Sequence, residues 1–283
     1  MIGIHRQSYY KGIYRKEEKL NIAKQVIELV TNIRIQMPRL GTRKLYYLLS
    51  AQLKRLKVGR DKLFSILKAN HLLIRPKKQY HVTTNSHHRF KKHKNLIENL
   101  EINRPEQVWV SDITYLGNRE HPMYLALVTD AYSKKIMGYD VSNSLSTQGA
   151  ANALELAVKN RSNIKKPLIH HSDRGLQYCS YKYQDILTKY GVKCSMTEKY
   201  DPYQNAVAER INGILKQEFI GDIFINDLGV MKKLIDNSIQ IYNQKRPHYS
   251  NFYKTPNQMH LQNHVQMRTY KQQQFKMEHQ LNC

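Results

Sequence analysis

The chain has 283 residues, with 46 Lys and Arg against 22 Asp and Glu, a formal net charge of +24, and a 41% hydrophobic composition. So basic a surface repels itself unless phosphates neutralise it, so a polyanionic partner is expected, and the apolar content excludes a disordered basic tail. No apolar run approaches the roughly 20 residues a bilayer needs, and no secretory leader pattern is visible.

The surplus is uneven: residues 1–105 carry 24 basic and 6 acidic residues. Cys179, Cys194 and Cys283 show no CxxC pairing, so they read as reduced thiols of a cytoplasmic, nucleoid-associated protein rather than as a disulfide framework or zinc site.

In chain order, Glu17 to Ile35 places Leu20, Ala23, Ile27 and Val30 at helical intervals, and Met37-Pro38 stops the pattern. A second helix is predicted from Thr42, a favourable N-cap residue, with Leu45, Leu48, Leu49 and Leu53 inward. A third covers Arg60 to Asn70. Residues 1–74 therefore read as a basic all-α module of helix-turn-helix type, the alternative being a basic bundle with no groove-reading helix. Arg43, Lys44, Arg60 and Lys62 are its candidate DNA contacts. Residues 75–105 lose apolar periodicity and carry Lys77, Lys78, Lys91 and Lys92, so they read as a basic linker lying against phosphates.

From 106 the period switches to strands. Val108 to Leu116, Met123 to Ala131 and Lys135 to Ser142 predict an antiparallel meander. A helix over Ser146 to Lys159, a strand over Pro167 to His171, a helix near Tyr181 to Tyr190, a strand over Val192 to Met196 and a helix from Asn205 to Phe219 follow. Strands first in a meander, then alternating with helices, give an α/β architecture with a mixed sheet flanked by helices. Residues 106–225 read as this core and 226–283 as a helical extension, from about Leu228 to Tyr242, with a polar tail. Trp109 reads as sheet core, and His170 and His171 as strand-end histidines held by hydrogen bonds.

Three acids stand out. Asp112 lies inside a highly apolar strand, where a carboxylate needs a partner or a metal to offset desolvation. Asp173 follows a buried strand at the edge where such sheets present functional groups. Glu209 lies 35 intervening residues later on a helix, and Lys216 follows by seven residues, about 700° of helical rotation and hence the same face. Asn205 and Asn212 share that stripe. On this helix alone, a solvated face explains Glu209 equally well. Three carboxylates converging on magnesium, a hard ion that prefers oxygen ligands and keeps several waters, would leave room for phosphate oxygens. Two such ions can activate an attacking hydroxyl and stabilise the leaving 3′ oxygen of a phosphodiester. Lys216, Arg174 and Arg246 are the further candidate phosphate contacts.

These segments resemble a known family. WVSDITY at 109–115, HSDRGLQY at 171–178, the acid spacing just described, MTEKYDPYQNAVAERINGILKQEF at 196–219, YNQKRPHYSNFYKTP at 242–256 and RLGTRKLYYLL at 39–49 together look like the second-reading-frame product of a bacterial insertion-sequence transposase. The resemblance covers nearly the whole chain. It implies a ribonuclease-H-like core similar to retroviral integrase, with Asp112, Asp173 and Glu209 as metal-binding triad and Lys216 as the following basic residue. It implies two Mg²⁺ or Mn²⁺ ions per site, end nicking by metal-activated water, and strand transfer by the freed 3′-OH. It further implies double-stranded DNA as partner at element ends and target, a homo-oligomer on that DNA, no membrane, and an upstream-frame helix-turn-helix protein or a fusion with it. The competing readings are a non-catalytic DNA-binding regulator of transposition and a ribonuclease-H-like nuclease acting on hybrids.

Overall fold

The computed structural model describes residues 6–75, 90–117, 120–198, 205–221, 223 and 225–265. It divides into two compact units, Met1–Lys77 and Lys78–Cys283.

The first unit is all-helical: α1 (Arg6–Gln36), α2 (Thr42–Leu48), α3 (Ser50–Arg55) and α4 (Arg60–Ala69). Its core holds Val26, Val30, Leu40, Leu45, Leu49, Leu53, Leu63 and Leu67; of the stripe expected on the first helix only Val30 is buried, Ala23 and Ile27 are half-buried and Leu20 is exposed. The helix expected from Thr42 breaks in two at Leu49, whose φ of −95° and ψ of 12° leave the helical region. Thr42 is not the N-cap. Extended Gly41 precedes the helix without a side-chain cap, and Thr42 turns inward and is buried. The first helix also begins eleven residues earlier than its apolar stripe, at Arg6 rather than Glu17. Residues 6–21 are exposed on every side, so no hydrophobic period announces them.

The second unit holds β1 (Val108–Tyr115), β2 (Tyr124–Asp130), β3 (Ile136–Ser142), α5 (Thr147–Lys159), β4 (Ile169–Ser172), α6 (Leu176–Cys179), α7 (Tyr181–Lys189), β5 (Lys193–Met196), α8 (Ala206–Ile214), a π-helical turn (Leu215–Ile220), α9 (Leu228–Lys245) and α10 (Pro256–His260). The sheet order is β3-β2-β1-β4-β5, antiparallel across the first three strands and parallel from β1 through β4 to β5. A three-strand meander extended by two parallel strands, with helices on its faces, is the ribonuclease-H-like fold the motifs imply. Trp109 is fully buried in the main core with Val128, Met137, Leu154 and Leu187. At Gly138 a Cβ would lie 2.0 Å from the Ala153 carbonyl oxygen, so only glycine lets α5 pack this close to β3.

Residues 90–105, the described part of the stretch read as a linker, are seated on this unit. Ile97, Leu100 and Ile102 pack against Val108, Val110, Ala131 and Ala208. Along the β5 edge the Leu96 N–H donates to Ser195 Oγ at 2.8 Å and the Met196 N–H to the Lys94 carbonyl at 3.3 Å. On the other outer strand, the Asn243 amide of α9 accepts from Ile136 N–H and donates to the Ile136 carbonyl, both at 3.0 Å, in place of a neighbouring strand.

Below the sheet's lower end the C-terminal segment closes a buried polar cluster. Glu106 accepts from the N–H groups of Ser162 at 2.8 Å and Asn163 at 2.6 Å, and its own N–H donates to Asp130 Oδ2 at 2.7 Å. Ser133 donates through both N–H and hydroxyl to Asp130 Oδ1 at 2.7 Å. His260 of α10 reaches Glu106 at 3.4 Å and Ser133 Oγ at 2.9 Å, and Arg161 stands 4.0 Å from Glu106. Burial alone would raise the Glu106 pKa, but His260 and the two backbone donors overcome it and hold the carboxyl at about 2.

Candidate active site

Asp112 sits mid-way along β1, and the β1–β4 register pairs Val110 with His171. Two residues further on, that register brings Asp173, just past β4, beside Asp112, adjacent strands lying about 4.8 Å apart. Glu209 enters from the first turn of α8. That helix is tied to β1 twice: Asn205 Nδ2 donates to the Ser111 carbonyl at 2.9 Å, and Asn212 Nδ2 donates to Asp112 Oδ2 at 2.9 Å. The other Asp112 oxygen accepts from Ile113 N–H at 2.9 Å, and Asp173 Oδ1 accepts from Gly175 N–H at 3.0 Å. A Cβ at Gly175 would crowd that Asp173 oxygen at 3.0 Å. Asp112 and Asp173 open onto a shallow recess whose wall includes Leu145, Gln177 and Tyr178.

The electrostatics are unbalanced. Burial first, and then the charge of Asp173, pushes the Asp112 carboxyl up to about 7, against the pull of Asn212 and Ile113 N–H. Glu209 is raised above its ordinary value by partial burial and by Asp173. Lys216 is half-buried; burial lowers its pKa, and Asp112 partly restores it. The three acids and the lysine thus lie within electrostatic reach of one another.

Among the described residues, no three His, Cys, Asp or Glu are gathered closely enough to hold a metal ion among them. The donor set nevertheless fits a hard divalent cation. It is all carboxylate, and burial together with the charge of Asp173 raises both Asp112 and Glu209, a repulsion that a bound cation would relieve; magnesium is commonly held by one or two carboxylates plus waters and phosphate oxygens.

Asn205 and Asn212 are the site residues whose roles the sequence reading missed, although both lie on the Glu209 stripe. Asn205 and Asn212 at the two ends of that stripe are buried against β1, while Glu209 between them is exposed. His170 and His171 are fully buried, His170 Nε2 lying 2.7 Å from Ser111 Oγ and 2.9 Å from Tyr183 OH, and His171 Nδ1 2.8 Å from Ser195 Oγ. They brace the sheet beneath the acids.

Among the candidate DNA contacts, Arg43, Lys62, Lys91 and Lys92 are exposed, while Lys44 and Arg174 are half-buried. Arg60 is exposed and pairs with Asp61 at 2.9 Å. Lys77 and Lys78 lie outside the described residues. Arg246 is a correction. Its guanidinium is enclosed and engaged inside the protein, donating to both Glu218 oxygens at 2.7 and 2.8 Å, and so offers nothing to a phosphate.

Comparison with known proteins shows what the chain resembles. The integrase core domain family matches residues 102–202, and a second integrase core domain family matches 190–256. The uncharacterized 31 kDa protein of insertion element IS600 from Shigella sonnei is 32% identical over 253 residues, covering 88% of this chain and 92% of that protein. The transposase InsF for IS3A of Escherichia coli is 38% identical over 51% of this chain and 50% of its own length. The putative transposase of IS986/IS6110 from Mycobacterium tuberculosis is 38% identical over 41% of this chain and 43% of its own length. Among solved structures, the HTLV-2 integrase catalytic core domain in complex with magnesium aligns with 56% of this chain and 97% of its own, at 22% identity and a TM-score of 0.44.

Proposed function

This chain belongs to the bacterial insertion-sequence transposases with an integrase core, DDE-type polynucleotidyl transferases, and from that premise we propose that it nicks the ends of its own element and joins them to target DNA. One observation carries the reading. Asp112 is held by Asn212 and by Ile113 N–H, and burial and the charges of Asp173 and Glu209 raise its carboxyl.

Asp112, Asp173 and Glu209 would hold Mg²⁺ or Mn²⁺, which when bound supplies charge neutralisation and activates an oxygen nucleophile. The chain's own residues do the rest. Asn212 and Ile113 N–H keep the Asp112 carboxylate from rotating, and Gly175 N–H does the same for Asp173. Lys216 holds a phosphate oxygen of the strand as a point charge. In the first step water, and in the second the 3′-OH, forms a new O–P bond while the 3′ oxygen of the attacked phosphodiester leaves. The exposed Lys91 and Lys92, with the basic helical unit, hold the duplex by backbone contacts. Resemblance to the two-frame elements supports an oligomer on DNA, with the upstream-frame helix-turn-helix protein, or a fusion with it, as partner.

The test is transfer of a labelled duplex, bearing the terminal sequence of the encoding element, into supercoiled plasmid with Mg²⁺. Joined product that disappears on Asp173→Asn supports the reading. Binding without joining in every metal tried favours a regulator, and cleavage confined to RNA–DNA hybrid favours a nuclease.

A further inference from the structure

We infer that the enclosed Arg246–Glu218 pair is a positioning device for Lys216, so that the arginine expected to grip DNA acts on the reaction from inside the protein. The inference rests on the reading of Lys216 as the phosphate-holding cation of the proposed reaction.

Lys216 sits where the helix changes its winding. The α-helical ladder of α8 ends at Ile214, and Leu215–Ile220 forms a π turn in which Gly221 N–H donates to the Lys216 carbonyl at 2.8 Å. Gly221 adopts a φ of +62° directly after it, a left-handed conformation that glycine takes without strain. Wide i→i+5 turns are rare, occur mostly as single turns, and are frequent at functional sites. Such a conformation persists only where its surroundings over-determine it.

Two things hold this turn. Leu215, Phe219 and Ile220 are buried, which anchors one side. The other anchor is Glu218, gripped side-on by Arg246 through Nε at 2.8 Å and Nη2 at 2.7 Å. Arg246 is 1% exposed. Its remaining terminal nitrogen, Nη1, lies 2.8 Å from His248 Nε2, and because arginine only donates, that imidazole nitrogen is the acceptor. The guanidinium also stands 5.8 Å from the Tyr242 ring, and Tyr242 OH donates to the Lys134 carbonyl at 2.8 Å, fixing the assembly to the β2–β3 connection.

An enclosed guanidinium deprived of its carboxylate is strongly unfavourable, so Glu218 stays bound to Arg246 while the fold is closed. Lys216 is two residues away in the same turn, with its backbone carbonyl committed to Gly221. Its side chain is thereby limited to the approach that faces Asp112. Arg246 and His248 of the 242–256 motif thus fix the winding that aims the lysine, a role outside the DNA interface.

A double-variant cycle in the full chain tests this, with single-turnover strand transfer, DNA affinity and hydrogen exchange measured for the parent, Lys216→Ala, Glu218→Gln and both together. Lys216→Ala is expected to lower the rate about 10²-fold. Glu218→Gln alone is expected to lower it about tenfold, the loss typical of residues that orient others. DNA affinity and far-UV circular dichroism should stay unchanged, while the Gly221 amide exchanges faster. In the Lys216→Ala background Glu218→Gln should add nothing, because its effect runs through the lysine. Losses that multiply, or a Gly221 amide that stays protected, overturn the inference. If Glu218→Gln does not fold, Arg246→Lys, which keeps the buried charge but loses the fork, carries the same cycle. A parent chain that neither nicks nor joins DNA, with the exchange result as expected, would overturn the assigned reaction and leave the clamp standing.

Discussion

Glu106 and Asp130 lie at one end of the sheet, fully buried and held by His260, Arg161, the Ser133 hydroxyl and four backbone N–H groups. Asp112 is three rows along β1 from the residue facing Asp130, about 10 Å away at strand spacing, yet its carboxyl is pushed up to about 7 while Glu106 is held at about 2. Both are acid groups gathered around one sheet. The difference lies in who supplies the counter-charge. At the lower end the protein supplies it, and the acids are architecture. Around the active-site acids the described partners include Asn212, two backbone N–H groups and a half-buried lysine, and burial and mutual repulsion outweigh them at Asp112.

The largest effect expected from breaking this contrast is catalytic. Asp112→Asn should reduce strand transfer by about 10³-fold or more, since a bound metal contributes several kcal/mol of charge stabilisation. The folded state should not suffer, because a repelling charge has been removed; a lowered melting temperature would show that Asp112 is architectural after all. The converse substitution, Glu106→Gln, should cost about 3–5 kcal/mol in urea unfolding, the usual result of removing one partner from a buried ion pair. Strand transfer per folded molecule should be unchanged.

Acidification drives the two ends in opposite directions. The Glu106 pKa is depressed, so its contribution is complete above about 4.5 and lost as pH falls toward 2. The Asp112 pKa is raised, so its ionisation penalises the metal-free fold at high pH, and that penalty is relieved as pH falls from 7 toward 3.8. His260 is also raised, by Asp130 and Glu106 against burial, and adds stability on the same descent. The melting temperature without metal should therefore rise from pH 8 to 5 and fall below about 4.5. Asp112→Asn should remove part of the rise, and Mg²⁺ should flatten it further; a curve identical in parent and variant contradicts the contrast. The smallest effect belongs to neither acid group. Replacing Lys92 by Ala should weaken DNA binding alike for all sequences and reduce the slope of log affinity against log salt by about one.

The two acid groups also differ in how far sequence could reveal them. Asp112, Asp173 and Glu209 stand out because each breaks a local pattern: an acid in an apolar strand, an acid after a strand, an acid on a helix stripe. Glu106 and His260 break none, being 154 residues apart in ordinary loop and helix-end settings, and only tertiary packing joins them. Strand limits were readable within about two residues because period two and the turn residues agree. The π turn was not, since a reading at 100° per residue extrapolates straight through it. Arg246 was misread for a related reason: a basic residue after a helix looks solvent-facing until the chain that folds over it is known.

The two outer strands bear on how many copies of this protein can associate. An unpaired strand edge is a template on which another chain can build a continuous sheet. Here the β5 edge is occupied by residues 94–96 of the same chain, and Asn243 already takes the place of a neighbour at Ile136 on β3. Growth by adding strands is thus blocked along β5 and obstructed where β3 begins. Edge-to-edge addition of another chain would have to displace these hydrogen bonds first, which disfavours that route to fibrous aggregation.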